Sequence, residues 1–422
     1  MVGIAAFLKA EPTQAWLSQI DAADQPIAIE LLRALKLVSR DAFAERLQGL
    51  VLARLAAGDE PVGLYAEREL KRRKGIPFRL FKEHRRKGCR AHGVGPKPVE
   101  PTQAYDADVG SEGIIAQLVS ELCREQPTRF FNHPGPDTIR KEKIRRFILV
   151  TDFIGSGLRA ETYLKAAWRV RSVRSWWSAR KKKGLRFEVV AYAGTPRGQA
   201  RVKRHRSRPK VFVVTACPTI DTAFGYPAQT QVRQLCMKYS PVPPSKSPPL
   251  GFDNSGALIA FAHGVPNNAP LILHKKSEVW APLFPARVTS SSRKAFSDDI
   301  TAPDAVRDHL IKMRQQRLAA AKWVEIAKPH ARNTLLVLAA LGRPPRTLEP
   351  LSRKTGLTIS EVEAALAAAL SHGWIDGMNR LTDEGHAELE QARRTSAVEP
   401  LSVQPPLHYY PKSLRAPRGT SS

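Results

Sequence analysis

The stretch RRFILVTDFIGSGLRAETYLKAAW, residues 145–168, holds the residue types that build an anion site. An apolar run ends in Thr151 and Asp152, passes through Gly155, Ser156 and Gly157, and resumes with helical spacing from Leu158 and Arg159. A strand that turns on glycine into a helix aims backbone N–H groups, and the positive end of the helix dipole, at whatever occupies the turn. Gly157 permits close backbone approach, and the Ser156 hydroxyl can donate. Asp152 at the strand end suits ribose hydroxyls or a cation such as Mg²⁺, and Arg159 can offer a guanidinium to a phosphate. Together these parts suit a ribose 5-phosphate. The plain alternative is a tight strand-to-helix connection that binds nothing.

Other chemistries leave no trace. There is no Ser/His/Asp set at a recognisable spacing, no HExxH and no glycine-rich loop ending in GK[ST]. Cys89, Cys123, Cys217 and Cys236 stand far apart, which offers neither a zinc site nor a disulfide framework and fits a reducing cytosol.

The elements around the turn read as a doubly wound α/β unit. Strand patterns at 61–70, 146–153, 185–194 and 209–217 alternate with helical patterns at 113–125, 160–177 and 195–206, the last opened by Thr195 and Pro196. Residues 12–57 read as helical, with Ser39 and Asp41 starting the third helix, and 256–265 as a further strand. The spacing predicts a basic connector helix over 302–328. Residues 331–390 read helix, turn, helix, turn, helix, then a hairpin around Gly377 and a closing helix: a winged helix-turn-helix in which Ser360 and Glu363 cap the reading helix. The expected divisions are thus a helical segment (1–60), an α/β domain (61–290), the connector (291–330), the winged helix (331–390) and an extended tail (391–422).

The net charge is +28 and the pI about 10.3. Such a surplus points to a polyanionic partner, most often nucleic acid. The positive charge is densest within the α/β part, at 71–90, 139–146, 169–186 and 197–210, where Trp176 and Trp177 interleave with Arg174 and Arg180. The reading helix carries Glu361 and Glu363 in its first turn and is otherwise mostly alanine and leucine, a poor set for base edges. The winged helix could therefore dock on protein or touch a nucleic-acid backbone. With no apolar run of about 18 residues and no signal-peptide pattern, a soluble cytoplasmic protein is expected.

At this point the 145–168 stretch resembles the binding loop of type I phosphoribosyltransferases: a strand, two adjacent acids, then Thr-Gly-x-Thr. The acidic pair falls on Thr151 and Asp152, and Thr-Gly-x-Thr on Ser156, Gly157, Leu158 and Arg159. Thr151 replaces one carboxylate and Arg159 the closing threonine. The block LGFDNSGALIAFAHGVPNNAPLILHKKSEVWAPLFPAR (250–287) and the tail HYYPKSLRAPR are similar to the phosphoribosyltransferase-like proteins of bacterial conflict systems, including effectors of anti-phage retrons. The resemblance implies a type I phosphoribosyltransferase-like parallel sheet with an N-terminal helical segment and a C-terminal winged helix. It places Glu67, Arg68, Lys71 and Arg72 on the pyrophosphate side, and makes Asn254, Asn267 and Asn268, with His263 and His274 nearby, candidates for the base or ribose end. It implies a toxic or signalling effector restrained by a reverse transcriptase and its DNA–RNA product, with turnover as a phosphoribosyltransferase or as a nucleotide glycosidase left open. The rival reading is a catalytically inactive ligand sensor that regulates by binding DNA through its winged helix. Oligomeric state is not legible in the sequence.

Overall fold

Five runs rich in β-branched and aromatic residues form the central sheet: β1 (Val62–Ala66), β2 (Phe130–Asn132), β3 (Arg146–Ile154), β4 (Arg186–Gly194) and β5 (Lys210–Ala216). The structure is a computed structural model that describes residues 4–56, 58, 60–84, 88–97, 110–182, 184–287 and 303–394. All five strands are parallel, in the order β5-β4-β3-β1-β2. From β1 the chain goes outward to the edge at β2, then returns to lay down β3, β4 and β5 on the other side. The order reverses between β1 and β3, and a crevice opens beyond the strand ends at such a point.

Alternating side chains commit each strand to two cores. On one face, helices Arg40–Ala56 and Gly110–Glu125 bring Phe43, Leu47, Val119 and Leu122 against Leu64, Ile148 and Val190. On the other, helices Leu158–Trp168, Arg171–Ser178 and Pro196–Lys203 bring Tyr163, Leu164, Val173 and Val202 against Tyr65, Phe147, Leu149 and Val189. Near the start of β3 the buried Arg146 holds Glu188 of β4 through two bonds, Nε–Oε1 at 2.7 Å and Nη2–Oε2 at 3.0 Å, with Arg54 Nε at 3.3 Å.

Several elements depart from the expectations. The helix expected over 160–177 is two, because Val170 takes an extended conformation (φ −81°, ψ 122°) and breaks it after Trp168. The strand expected over 256–265 shrinks to Ile259–Phe261 and lies outside the main sheet. It pairs in parallel with Lys36–Val38, a strand hidden within the stretch read as helical. The N-terminal helices form a layer packed on the α/β part. Trp16, Leu31 and Leu32 share one core with Leu235, Trp280 and Phe284, and both tryptophan N–H groups donate to the Ile272 carbonyl. Ser39 does open helix Arg40–Ala56, its hydroxyl accepting from the Ala42 N–H at 3.1 Å.

The connector is three short helices, Pro303–Lys312, Gln316–Ala320 and Trp323–Ile326, with Arg314 at φ 60° breaking the first run. Leu310, Leu318 and Trp323 pack into the same core as Leu335, Leu351, Val362 and Ala369 of the winged helix. There the helices are Pro329–Leu341, Leu348–Thr355, Ile359–Ser371 and Asp383–Arg394, and the wing is an Ile375–Leu381 bridge. The reading helix is capped by Thr358 and Glu361, not by Ser360 and Glu363. Thr358 keeps the extended geometry of a cap (ψ 162°), its N–H donating to Glu361 Oε2 at 2.7 Å and its hydroxyl accepting from the Glu361 N–H at 3.1 Å. The last helix runs to Arg394, past the expected boundary at 391; the remainder of the tail lies outside the described residues.

The winged helix covers the sheet edge at β5. Half-buried Lys36 donates to Thr215 Oγ1 (2.8 Å) and to the Gly356 carbonyl (3.0 Å), and Arg46 faces Glu361 at 3.7 Å. Among the described residues no helix is long and apolar enough to cross a membrane.

Burial opposes ionisation of Glu188, but Arg146 and Arg54 outweigh it and hold its pKa below the ordinary value. Its folded pKa is depressed, so its stabilisation is present above the unfolded value and lost as pH falls through the folded one. Glu188→Gln is expected to lower stability by about 3 kcal/mol at neutral pH, by leaving the buried Arg146 without a counter-charge. A shift in the urea midpoint measures this; an unchanged midpoint would contradict it.

Candidate functional site

β3 ends at the reversal, and its turn into helix Leu158–Trp168 is built by close approach. A Cβ on Gly155 would lie 2.0 Å from Asn268 Oδ1, and one on Gly198 would lie 2.1 Å from the Gly155 carbonyl oxygen. Gly157, at φ 76°, would meet the Gly198 carbonyl oxygen at 2.4 Å. Three segments thus meet with no room for side chains. Thr195 pins them, its hydroxyl donating to the Gly155 carbonyl (2.6 Å) and accepting from the Gly198 N–H (2.9 Å). The Ser156 hydroxyl accepts from the Leu158 N–H at 3.3 Å. Among the described residues nothing accepts from the N–H groups of Ser156 and Gly157.

The carboxylate missing at Thr151 is present in space. Glu67 follows β1, the neighbouring strand, and its N–H donates to the Val150 carbonyl at 2.8 Å. Thr151 donates its hydroxyl to Glu67 Oε2 at 2.7 Å and lies 3.2 Å from Asp152 Oδ1. Two carboxylates therefore flank one threonine at the end of the reversal. Their environments differ. Glu67 is 4% exposed, and burial, with Asp152 and Glu112 adding to it against Arg159 and Thr151, raises its pKa to about 7. For Asp152, burial works against ionisation, but the His263 ring, Ser111 and Arg159 outweigh it and hold the carboxyl below its usual value. Carboxylates pushed apart in this way can take different parts in proton transfer.

His263 closes the far wall. Its ring stacks on Phe261 (centroids 5.0 Å apart) and meets Phe43 edge-on at 4.7 Å. Nε2 lies 3.9 Å from Asp152 Oδ2, too long for a hydrogen bond, and both ring nitrogens are buried without a partner among the described residues. Buried imidazoles are normally satisfied, so this one has hydrogen-bonding capacity to spare beside the carboxylates. Arg159, half-exposed at the helix start, pairs with Glu112 and sits 3.9 Å from Glu67 Oε2.

The other candidates are less tightly gathered. Arg68 has a buried Nε with no partner among the described residues. Arg72 is exposed, and its Nη2 donates to Thr162 Oγ1 at 3.2 Å, on the helix that follows the turn; Lys71 is exposed. Asn268 is buried and occupied, its Nδ2 donating to the Phe252 carbonyl (3.1 Å) and to Ser255 Oγ (2.8 Å). Asn254 sits in a turn at φ 49°, Asn267 is exposed, and the His274 Nε2 lies against the Ala269 carbonyl at 3.1 Å. Glu112, Ser111 and Thr195 also belong to the site. No spacing in the sequence ties 111–112 or 195 to the 151–159 turn, since the strand order alone brings them together. Among the described residues no group of three or more His, Cys, Asp or Glu could by itself hold a metal ion. A cleft of about 1510 Å³ lies elsewhere, between helix Arg40–Ala56, β5 and the winged helix.

A parallel sheet with a glycine turn and paired carboxylates at its reversal defines an α/β protein with a crevice at its strand ends. The family models agree and go further: PRTase-CE matches residues 13–286, and wHTH-PRTase associated matches residues 335–416. The chain belongs to the PRTase-CE family, with a phosphoribosyltransferase-like domain followed by the associated winged helix. No curated protein and no solved structure matches it.

Glu67 titrates at about 7 in the folded chain, against about 4.3 in an unfolded one. The folded state keeps a proton that the unfolded state releases, so the stabilisation is complete below the unfolded value and is lost as pH rises through 7. Between about pH 5 and about pH 8 the wild type should lose on the order of 2 kcal/mol more stability than Glu67→Gln. Urea unfolding at both pH values checks this; parallel losses in the two proteins would contradict it.

Proposed function

We propose that the crevice at the β1/β3 reversal binds a phosphoribosyl ligand, either phosphoribosyl pyrophosphate or a nucleotide. The observation that carries this reading is the Glu67–Thr151–Asp152 cluster directly before the glycine turn. The 5-phosphate sits on the N–H groups of the turn at the start of helix Leu158–Trp168. Asp152 and Glu67 take the ribose hydroxyls, with Thr151 orienting Glu67. Arg68, Lys71 and Arg72 face the pyrophosphate, where guanidinium and ammonium groups suit its charge. A Mg²⁺ ion needs few protein ligands when substrate oxygens and water complete its shell; Asp152 would hold it, and it would neutralise charge on the leaving pyrophosphate.

Catalysis in such a site is positional and electrostatic. The ribose anomeric carbon is held between carboxylates while pyrophosphate, or a base, departs. Glu67, with a pKa near 7, can accept or return a proton at neutral pH. A base as the nucleophile makes the protein a phosphoribosyltransferase, and water makes it a nucleotide hydrolase. By resemblance, the setting is a retron-type anti-phage system in which a reverse transcriptase and its DNA–RNA product restrain this effector in the cytoplasm. The competing reading, a DNA-binding regulator, is disfavoured by one observation: the first turn of the reading helix is docked, with Glu361 facing Arg46.

Calorimetry with phosphoribosyl pyrophosphate and Mg²⁺ tests the proposal. A saturable isotherm is expected, weakened about tenfold or more by Asp152→Ala and by Gly157→Val. Absence of binding by folded, nucleic-acid-free wild type would contradict it.

A further inference from the structure

Between Lys165 and Lys210 there are sixteen Lys and Arg residues and a single acid, Glu188, a net +15 of the chain's +28. Glu188 is buried on Arg146 and Arg54 and neutralises nothing at the surface. Residues 180–182 and 204–209 follow helices Arg171–Ser178 and Pro196–Lys203 on the way to the start of β4 and of β5. Both therefore lie along the N-terminal edge of the sheet, opposite the strand ends that carry the candidate ligand site. Lys181, Lys182, Lys203, Arg204, Arg206 and Arg208 are exposed there, and none forms an ion pair among the described residues.

The surface is held in shape. The Trp177 indole N–H donates to the Ser207 carbonyl at 2.7 Å, tying helix Arg171–Ser178 to the 203–209 segment. The Arg180 guanidinium lies 3.4 Å over the Trp177 ring, and Trp168 meets that ring edge-on at 5.1 Å. A recess of about 580 Å³ opens between these parts, lined by Trp177, Lys203, Arg204, His205, Arg206 and Arg208. His205 is pushed down to about 4 by burial and by Arg206 and Lys165, so the recess carries its charge on fixed cations. Trp177 is occupied on one face by Arg180, which directs recognition to phosphates and away from base stacking. Among the described residues no large apolar side chain is exposed between 165 and 210, so nothing there would wedge into a lipid surface or seat an apolar peptide anchor.

We infer that this edge is a nucleic-acid backbone-binding surface, separate from both the strand-end crevice and the winged helix. It reads phosphate charge along a strand and little of the base sequence. Its occupant is a DNA or RNA strand, and the docked winged helix contributes no contact.

Fluorescence anisotropy with the full chain and labelled single-stranded DNA, single-stranded RNA and duplex DNA of mixed sequence tests this across a salt series. Wild type should bind at low salt with a steep, sequence-independent salt dependence. The combined variant Lys182→Gln, Arg204→Gln, Arg206→Gln, Arg208→Gln should bind about a hundredfold more weakly, and its log–log salt slope should fall by about 3. Circular dichroism and binding of phosphoribosyl pyrophosphate by this variant report separately on the fold and the crevice. Arg343→Gln with Arg346→Gln in the winged helix should leave affinity unchanged. Absence of binding by wild type, unchanged binding by the combined variant, or an equal loss from the winged-helix pair would each overturn the inference.

Discussion

A carboxylate buried at the reversal of the sheet is the constraint around which the site is arranged. Glu67 reaches the end of β1 with almost no exposure, its side chain held by a short hydrogen bond from Thr151 on the adjacent strand, with Arg159 at 3.9 Å. Burying an ionised carboxylate without a full set of partners is unfavourable, and the group responds by holding its proton to about pH 7. Asp152, next in the chain to the donor of that bond, stays ionised because cationic and polar neighbours gather on its other side. The glycine turn then has to start where β3 stops, and the packing of Gly155, Gly157 and Gly198 lets the three segments close on that point.

The same sheet sets the place of the winged helix. β5 is an edge strand, and an open edge invites unwanted pairing. Helices Leu348–Thr355 and Ile359–Ser371 cover it, and Lys36, drawn into the seam, joins the N-terminal ribbon, β5 and the Gly356 turn. Burial, with Arg46 adding to it, lowers the Lys36 pKa to about 8, so the seam is held together by a cation that is easily neutralised. A helix-turn-helix used in this way acts as a cover, and the densest charge on the chain is displayed along the N-terminal edge of the sheet.

Much of the sheet was legible, because four of the five strands are apolar runs, with β3 closed by a glycine turn and β4 by the helix cap at Thr195–Pro196. β2 was missed: Phe130–Asn132 is three residues of an edge strand with no period to detect. The ribbon of Lys36–Val38 and Ile259–Phe261 escaped for the same reason, and the 160–177 helix was read through Val170 because nothing in its spacing marks an extended residue. At the site, the turn was visible as a local motif, and Glu67 was reached through resemblance as a pyrophosphate-side residue. Its pairing with Thr151 was not visible, since the two are neighbours only through strand order. His263 was placed only near the base or ribose end; its nitrogens beside Asp152, without a partner among the described residues, appear only once the ring is stacked on Phe261.

The central claim is that the turn after β3 holds a phosphate while Glu67 and Asp152 hold the sugar. A crystal structure with bound ribose 5-phosphate tests it most directly. The account predicts the phosphate on the N–H groups of residues 156–158, with ribose hydroxyls within hydrogen-bond reach of Asp152 and Glu67. A phosphate seated only on the basic edge around Arg204–Arg208, with the strand-end crevice left to solvent, would contradict it.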